Sequence, residues 1–122
     1  MGAYVSEEHE GVEPERVAEL VDRGEAELVD VRTPEEYEAG RIAGARHIPF
    51  DELASRSGEI DSERDLVLYC RGGGRSASAA EAFVASGRPA QSMAGGIEHW
   101  VERGLPIEPI EGNIVHASGL PD

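Results

Sequence analysis

Apolar positions along the chain alternate between two rhythms. In EPERVAELVDRG, residues 13–24, Val17, Leu20 and Val21 fall at helical spacing, Pro14 stands in the first turn and Gly24 marks a stop, which predicts an amphipathic helix. AELVDVR, residues 26–32, predicts a short strand. TPEEYEAG, residues 33–40, follows at once with Thr33 and Glu36 spaced as a capping box, Pro34 in the first turn and Gly40 as a C-terminal cap. ARHIPF, residues 45–50, predicts a second short strand, and DELASRS, residues 51–57, a helical turn begun by Asp51. DLVLYC, residues 65–70, is an apolar run of strand length, of the kind buried on both faces in the middle of a parallel sheet. The alanine-rich SASAAEAFVASG, residues 76–87, predicts a helix stopped by Gly87, AQSMA a short strand, and IEHWVERG a last helix closed by Gly104 and Pro106. Strands separated by helices imply an α/β domain with a central, mostly parallel sheet, right-handed crossovers and helices on both faces. Residues 1–12 are read as an N-terminal segment, 13–107 as the domain, and 108–122, which carries no clear period, as an irregular extension.

Composition narrows the chemistry. At 122 residues the chain is long enough for one domain that needs no disulfide or metal staple. Cys70 is its single cysteine, so no internal disulfide forms, and His9, His47, His99 and His116 are too scattered for zinc spacing. The opening MGAYVSEEHEG has no basic region followed by an apolar core, so neither a secretion signal nor a membrane span is expected, and the cytoplasm with a reduced thiol is the expected setting. MGAYVS fits the loose myristoylation pattern, but the acidic residues behind it would be repelled by anionic lipid, and the match is read as chance. The formal charge of −14 argues against nucleic acid and anionic membranes as partners. All eleven basic residues are arginine, which excludes a Walker-type phosphate loop and lysine Schiff-base chemistry.

The candidate chemistry lies in YCRGGGRS, where the apolar strand gives way to a helix. Sites in open α/β sheets gather at the carboxyl ends of strands, and a following helix aims free N–H groups and the positive end of its dipole at that point. Cys70 occupies it. Gly72, Gly73 and Gly74 are free to take positive φ, so that N–H groups between Arg71 and Ser76 turn inward as an anion-binding nest. A thiolate there is stabilised relative to its thiol and becomes a nucleophile near neutral pH. A lone cysteine at the end of a core strand is more often an inert buried thiol, and three glycines alone are more often a flexible turn. The succession of strand, cysteine, glycines, flanking arginines and helix favours the anion-holding nucleophile.

The loop CRGGGR matches C-R-x-G-x-R and resembles the active loop of single-domain rhodaneses, sulfurtransferases that carry sulfur as a cysteine persulfide. VDVRTPEEYEAGRIAGARHIP, Val29 to Pro49, resembles that family's D-V-R stretch and its E-Y-x-x-G-H/R-I-x-G-A-x-x-I-P. GGIEHWVERGLP, Gly95 to Pro106, resembles its G-G-x-x-x-W-x-x-x-G-L-P ending. The resemblance implies a rhodanese-like α/β fold and a double displacement. Cys70 takes the outer sulfur of a small anionic donor such as thiosulfate, and an acceptor such as cyanide, a thiol or a protein thiolate removes it. It implies no metal and no organic cofactor.

By the same resemblance, Arg71 points into the mouth and leads donor binding, with Gly72, Gly73, Gly74 and Arg75 completing the cradle. Arg75 serves either the donor or the bracing of the loop. Asp30, Arg32 and Ser76 are expected as structural support, the first two as an ion pair or cap. Trp100 and Tyr37 are expected as core anchors with hydrogen-bonded polar tips. His47 and His99 are expected to take no part in catalysis, and His116 is assigned no role. Gly72 stands where thiosulfate-using members carry a second basic residue, so thiosulfate preference follows less directly than sulfur transfer. Phosphatase or arsenate reductase is a rival, but those loops resemble C-x₅-R, whereas Cys70 and Arg75 are separated by four residues. A non-catalytic or carrier module that binds a sulfur-pathway protein is the other alternative.

Overall fold

Strand β1 (Ala26–Asp30) lies between β2 (Arg46–His47) and β3 (Asp65–Tyr69), and β3 pairs in turn with β4 (Ala90–Ser92), giving the order β2-β1-β3-β4 with every pairing parallel. The computed structural model describes residues 11–115. Around the sheet run α1 (Pro14–Asp22), α2 (Pro34–Ala39), α3 (Leu53–Arg56), α4 (Gly74–Ala85) and α5 (Gly96–Glu102). The expected α/β architecture, a parallel sheet flanked by helices, is the one observed.

The period of two along the strands divides the interior into two cores, one on each face. Leu28, Val67 and Tyr69 pack with Val17 and Leu20 of α1 and with Ile97 and Trp100 of α5. Val29, Leu66, Leu68 and Cys70 point the other way, against Leu53 of α3 and Ala79 and Ala80 of α4. Burial on both faces is why β1 is apolar at most positions and why β3 reads as a continuous run. Asp30 and Tyr69 are register partners at the carboxyl ends of these strands, which places Val31, Arg32 and Cys70 together at one edge of the sheet.

Several local expectations are refined. The turn at 51–57 begins a residue early, as a 3₁₀ turn over Phe50–Glu52 that runs into α3, and no side chain caps it. Helix α4 starts at Gly74 and so takes in part of the glycine loop. The capping box of α2 is present, with Glu36 N–H donating to Thr33 Oγ1 and Thr33 N–H to Glu36 Oε1. Val12, read as part of the N-terminal segment, is buried and forms a parallel bridge with Met93 beyond β4. In the region read as an irregular extension, Glu108 bridges Arg41, Asn113 N–H donates to Ala39 O at 2.7 Å, and Ile114 packs on the α1–α5 core. Trp100 is a core anchor, its Nε1–H donating to Pro106 O at 2.8 Å. Tyr37 is not. It is half-buried and stacks on the His47 ring, centroids 4.2 Å apart, with the Arg41 guanidinium 4.8 Å from its own centroid. The buried position of this short helix is taken by Glu36 instead. MGAYVS, His9 and His116 lie outside the described residues. Among the described residues no helix is long and apolar enough to cross a membrane, and no group of His, Cys, Asp or Glu is placed to hold a metal ion.

Candidate active site

Cys70 leaves β3 with its side chain fully buried, and the chain turns back over it before α4 begins. Its Sγ accepts from Gly73 N–H at 3.1 Å and from Ser76 N–H at 3.4 Å, and lies 3.5 Å from Ser76 Oγ. Two backbone donors converge on one sulfur because Gly73 has φ +114°, which folds the loop over Cys70. Of the three glycines only Gly73 takes positive φ; Gly74 is the first helical residue. The first-turn N–H groups of α4, at Gly74 and Arg75, have no acceptor within their own helix, as in any α-helix. Ser76 also ties the loop to β4, through Ser92 Oγ at 2.7 Å and Gly73 O at 3.2 Å.

With the amides turned inward, the loop carbonyls face α5. Ile97 N–H donates to Cys70 O at 2.9 Å and Glu98 N–H to Arg71 O at 3.1 Å. This contact needs the second glycine of GGIEHW. Gly96 has φ +68°, and a Cβ there would sit 2.3 Å from Arg71 O and 2.7 Å from Cys70 O. The G-G pair of the last motif is therefore a backbone-to-backbone seat for the cysteine loop.

The two loop arginines are both engaged by carboxylates. Arg75 is buried, its Nη1 and Nη2 donating to Glu36 Oε1 and Oε2 at 2.8 and 2.9 Å. Burial pushes the Glu36 carboxyl up, but the hydrogen bonds from Arg75 and Thr33 outweigh it and hold the group below the ordinary glutamate range. Of the two roles left open for Arg75, its contacts are those of a brace between the loop and α2. Arg71, expected at the mouth, is mostly covered and places Nη1 on Glu98 Oε2 of α5.

Behind the loop, Asp30 and Arg32 form a buried pair, Nε to Oδ1 at 2.9 Å and Nη2 to Oδ2 at 2.7 Å, and Arg32 Nη2 also reaches Gly40 O at 2.8 Å. Tyr69 OH donates to Asp30 Oδ2 at 2.7 Å and accepts from Ile42 N–H at 3.1 Å. Burial, then the Asp30 charge, pushes the Tyr69 phenol well above its ordinary value, so it remains a donor. His47 Nε2 lies 2.8 Å from Arg32 O and His99 Nδ1 2.9 Å from Ala94 O; each ring meets backbone rather than the sulfur. A cleft of about 520 Å³ opens beside the loop, lined by Gly74, Arg75, Ser78, Phe50, Asp51 and Glu52.

Glu36, Ser92 and Glu98 contact the loop or its arginines without having been singled out for it from sequence. Glu36 had a local signal, its capping spacing, but its second partner is 39 residues away. Nothing local marks Ser92 or Glu98.

Fold and site together define a parallel α/β domain with a cysteine held by backbone amides at a strand-to-helix turn. Residues 13–103 match the Rhodanese-like domain family, and the chain belongs to that family. It is 39% identical over 94 residues to a sulfurtransferase of Allochromatium vinosum, across 76% of this chain and 88% of that protein. It is 43% identical over 96 residues to an HTH-type transcriptional regulator of Mycobacterium tuberculosis, covering 75% of this chain but 42% of the regulator, so it spans less than half of that relative. The crystal structure of a rhodanese-related protein from Thermoplasma volcanium superposes with a TM-score of 0.72 at 29% identity, covering 79% of this chain and 94% of that one.

Proposed function

We propose that the protein is a sulfurtransferase that moves sulfane sulfur through a persulfide on Cys70. The observation that carries this reading is the pair of backbone donors on Cys70 Sγ, from Gly73 at 3.1 Å and Ser76 at 3.4 Å, at the start of the twelve-residue α4. In the first half-reaction the Cys70 thiolate attacks the outer sulfur of thiosulfate. The new S–S bond forms as the old one breaks, and sulfite leaves with the electron pair. The outer sulfur of the persulfide carries the negative charge, and the first-turn N–H groups of α4 are the donors suited to hold it. In the second half-reaction cyanide, or a small or protein thiol that has given its proton to solvent, attacks that outer sulfur as the anion, and Cys70 departs as thiolate. Each step exchanges one sulfur–sulfur bond for a bond to sulfur, and no metal or organic cofactor enters the balance.

The cleft beside the loop, with Phe50 43% exposed, gives an acceptor a partly apolar approach. Cys70 is fully buried, so the loop must open or the donor must be drawn in for the first attack. The cytoplasm is the compartment proposed, since a reducing setting keeps a single thiol available. A carrier role in which a partner protein receives the sulfur is the second reading, favoured by the match to part of a transcriptional regulator. The phosphatase reading is disfavoured because Arg75, which would have to face an oxyanion, is bound on both Nη atoms by Glu36.

Intact mass after incubation with thiosulfate tests the proposal. A sulfur-sized gain that a reductant removes is expected for the wild type and not for Cys70→Ser. No such gain with thiosulfate, thiosulfonates or low-molecular-weight persulfides as donors would overturn it.

A further inference from the structure

We infer that Glu98 is a specificity-determining residue that latches Arg71 and so biases the Cys70 site against dianionic sulfur donors, in favour of donors with one negative charge or none. The inference rests on the sulfur-transfer reading and deepens it. Glu98 holds the residue after the nucleophile at both ends. Its backbone N–H donates to Arg71 O at 3.1 Å, and its Oε2 receives Arg71 Nη1. An ordinary surface ion pair loses much of its worth to side-chain freedom, but here the backbone contact fixes the two residues side by side. The Arg71 side chain is 13% exposed and that of Glu98 41%, so the carboxylate is the more solvent-facing member of the pair.

An anionic donor that engages Arg71 at Nη1 must displace that carboxylate. Exchanging one oxygen anion for another on the same guanidinium yields little net attraction, while the displaced carboxylate remains nearby and repels in proportion to the donor's charge. A dianion therefore meets about twice the repulsion of a monoanion, by Coulomb's law, and a neutral reagent meets none. The discrimination is built from an unfavourable contact rather than from an added favourable one.

Because Cys70 is the sole cysteine, alkylation followed by intact mass reads this site alone. Iodoacetamide is neutral and iodoacetate is an anion; in both reactions the thiolate displaces iodide and forms a thioether. The measured quantity is the ratio of the iodoacetate to the iodoacetamide rate constant, for the wild type, Glu98→Gln, Arg71→Gln, the double variant, and Glu102→Gln as an exposed single-charge control on the same helix. Glu98→Gln is expected to raise the ratio roughly three- to fivefold, and Glu102→Gln by less than about 1.5-fold, since a distant exposed charge is largely screened. In the Arg71→Gln background the Glu98 substitution is expected to add less than about twofold, because the latch is already gone. An effect of Glu98→Gln no larger than that of Glu102→Gln, or equally large without Arg71, would overturn the inference. As a second measurement, Glu98→Gln is expected to lower KM for thiosulfate more than for a monoanionic thiosulfonate, with kcat held; equal changes for the two donors would count against it. Absence of sulfur transfer from any donor, alongside a shifted alkylation ratio, would sink the sulfur-transfer reading and leave the latch standing.

Discussion

Glu36 and Arg75 meet in a two-pronged contact of 2.8 and 2.9 Å, joining the first turn of α2 to the first turn of α4 across 39 residues of sequence. Both side chains are almost wholly buried, and Glu36 also closes the capping box of its own helix through Thr33. The cysteine loop is therefore anchored to α2 by a charge pair and to α5 by backbone hydrogen bonds.

Breaking this pair from one side leaves the other charge buried. Arg75→Met and Glu36→Gln are each expected to cost about 3–5 kcal/mol of stability, the range for one-sided removal of a buried pair. Urea unfolding would measure it. The double variant Glu36→Gln/Arg75→Met is expected to lose less than the sum of the two, because no unpaired charge remains. Additive losses would mean that the two residues act independently.

The same pair sets an acid limit. The Glu36 carboxyl is held below its ordinary range in the folded protein, so folding favours its ionised form. That contribution is fully present above the unfolded-state value, about 4.3, and is lost as pH falls through the lower folded-state value. Stability measured from pH 6 down is expected to fall steeply below about pH 4. The drop should be shallower in Glu36→Gln than in the wild type, and equal slopes would assign the acid transition to other carboxylates.

Gly96→Ala is expected to damage the site from outside the loop. The added Cβ would meet Arg71 O at 2.3 Å, and φ +68° is unfavourable for any residue with a side chain. The combined strain and crowding amount to more than about 2 kcal/mol. Since the obstructing atom is the carbonyl that fixes the loop, Cys70 alkylation kinetics should change along with the melting temperature. Gly104→Ala, also at positive φ but with nothing within 4 Å of the added carbon, should destabilise by conformational strain while leaving Cys70 reactivity unaltered.

The regular elements were legible because each carries its own local reason. The apolar run of β3, the capping box of α2 and the glycine stops predict them without reference to distant residues. The cysteine, its helix and the need for backbone donors were legible for the same reason. What the sequence could not show was where the arginine forks would turn. The family pattern puts Arg71 at the mouth and the sequence leaves Arg75 open between donor binding and bracing, because their carboxylates, Glu98 and Glu36, lie 27 and 39 residues away. Tyr37 reads as a core anchor because nothing local shows that the buried position of its helix goes to the charged Glu36, which pairs with Arg75. Gly72, Gly73 and Gly74 look equivalent as letters, and only the fold shows that the positive φ falls on Gly73 alone.

Salt dependence follows from how the arginines are used. Among the described residues, every arginine except Arg88 faces a carboxylate within 4.0 Å, and Arg88 donates to the backbone carbonyls of Asp61 and Arg64. With Arg71 on Glu98 and Arg75 on Glu36, no loop arginine brings uncompensated side-chain charge to the donor's approach. The wider field, from a net charge of −14, is repulsive to a dianion. Screening shortens the reach of that field, to about 10 Å at 0.1 M and 3 Å at 1 M ionic strength. Raising sodium chloride from 0.05 to 0.5 M is thus expected to increase kcat/KM for thiosulfate by roughly two- to fivefold, the direction set by repulsion and the size by screening of a surface field. Alkylation of Cys70 by neutral iodoacetamide should respond by less than about 1.5-fold, since the reagent carries no charge for that field to act on. In Glu98→Gln one carboxylate beside the loop is neutralised, so the salt response for thiosulfate should flatten. A fall of kcat/KM with salt in the wild type would mean that the backbone nest and Arg71 already outweigh the acidic surface at the point of capture.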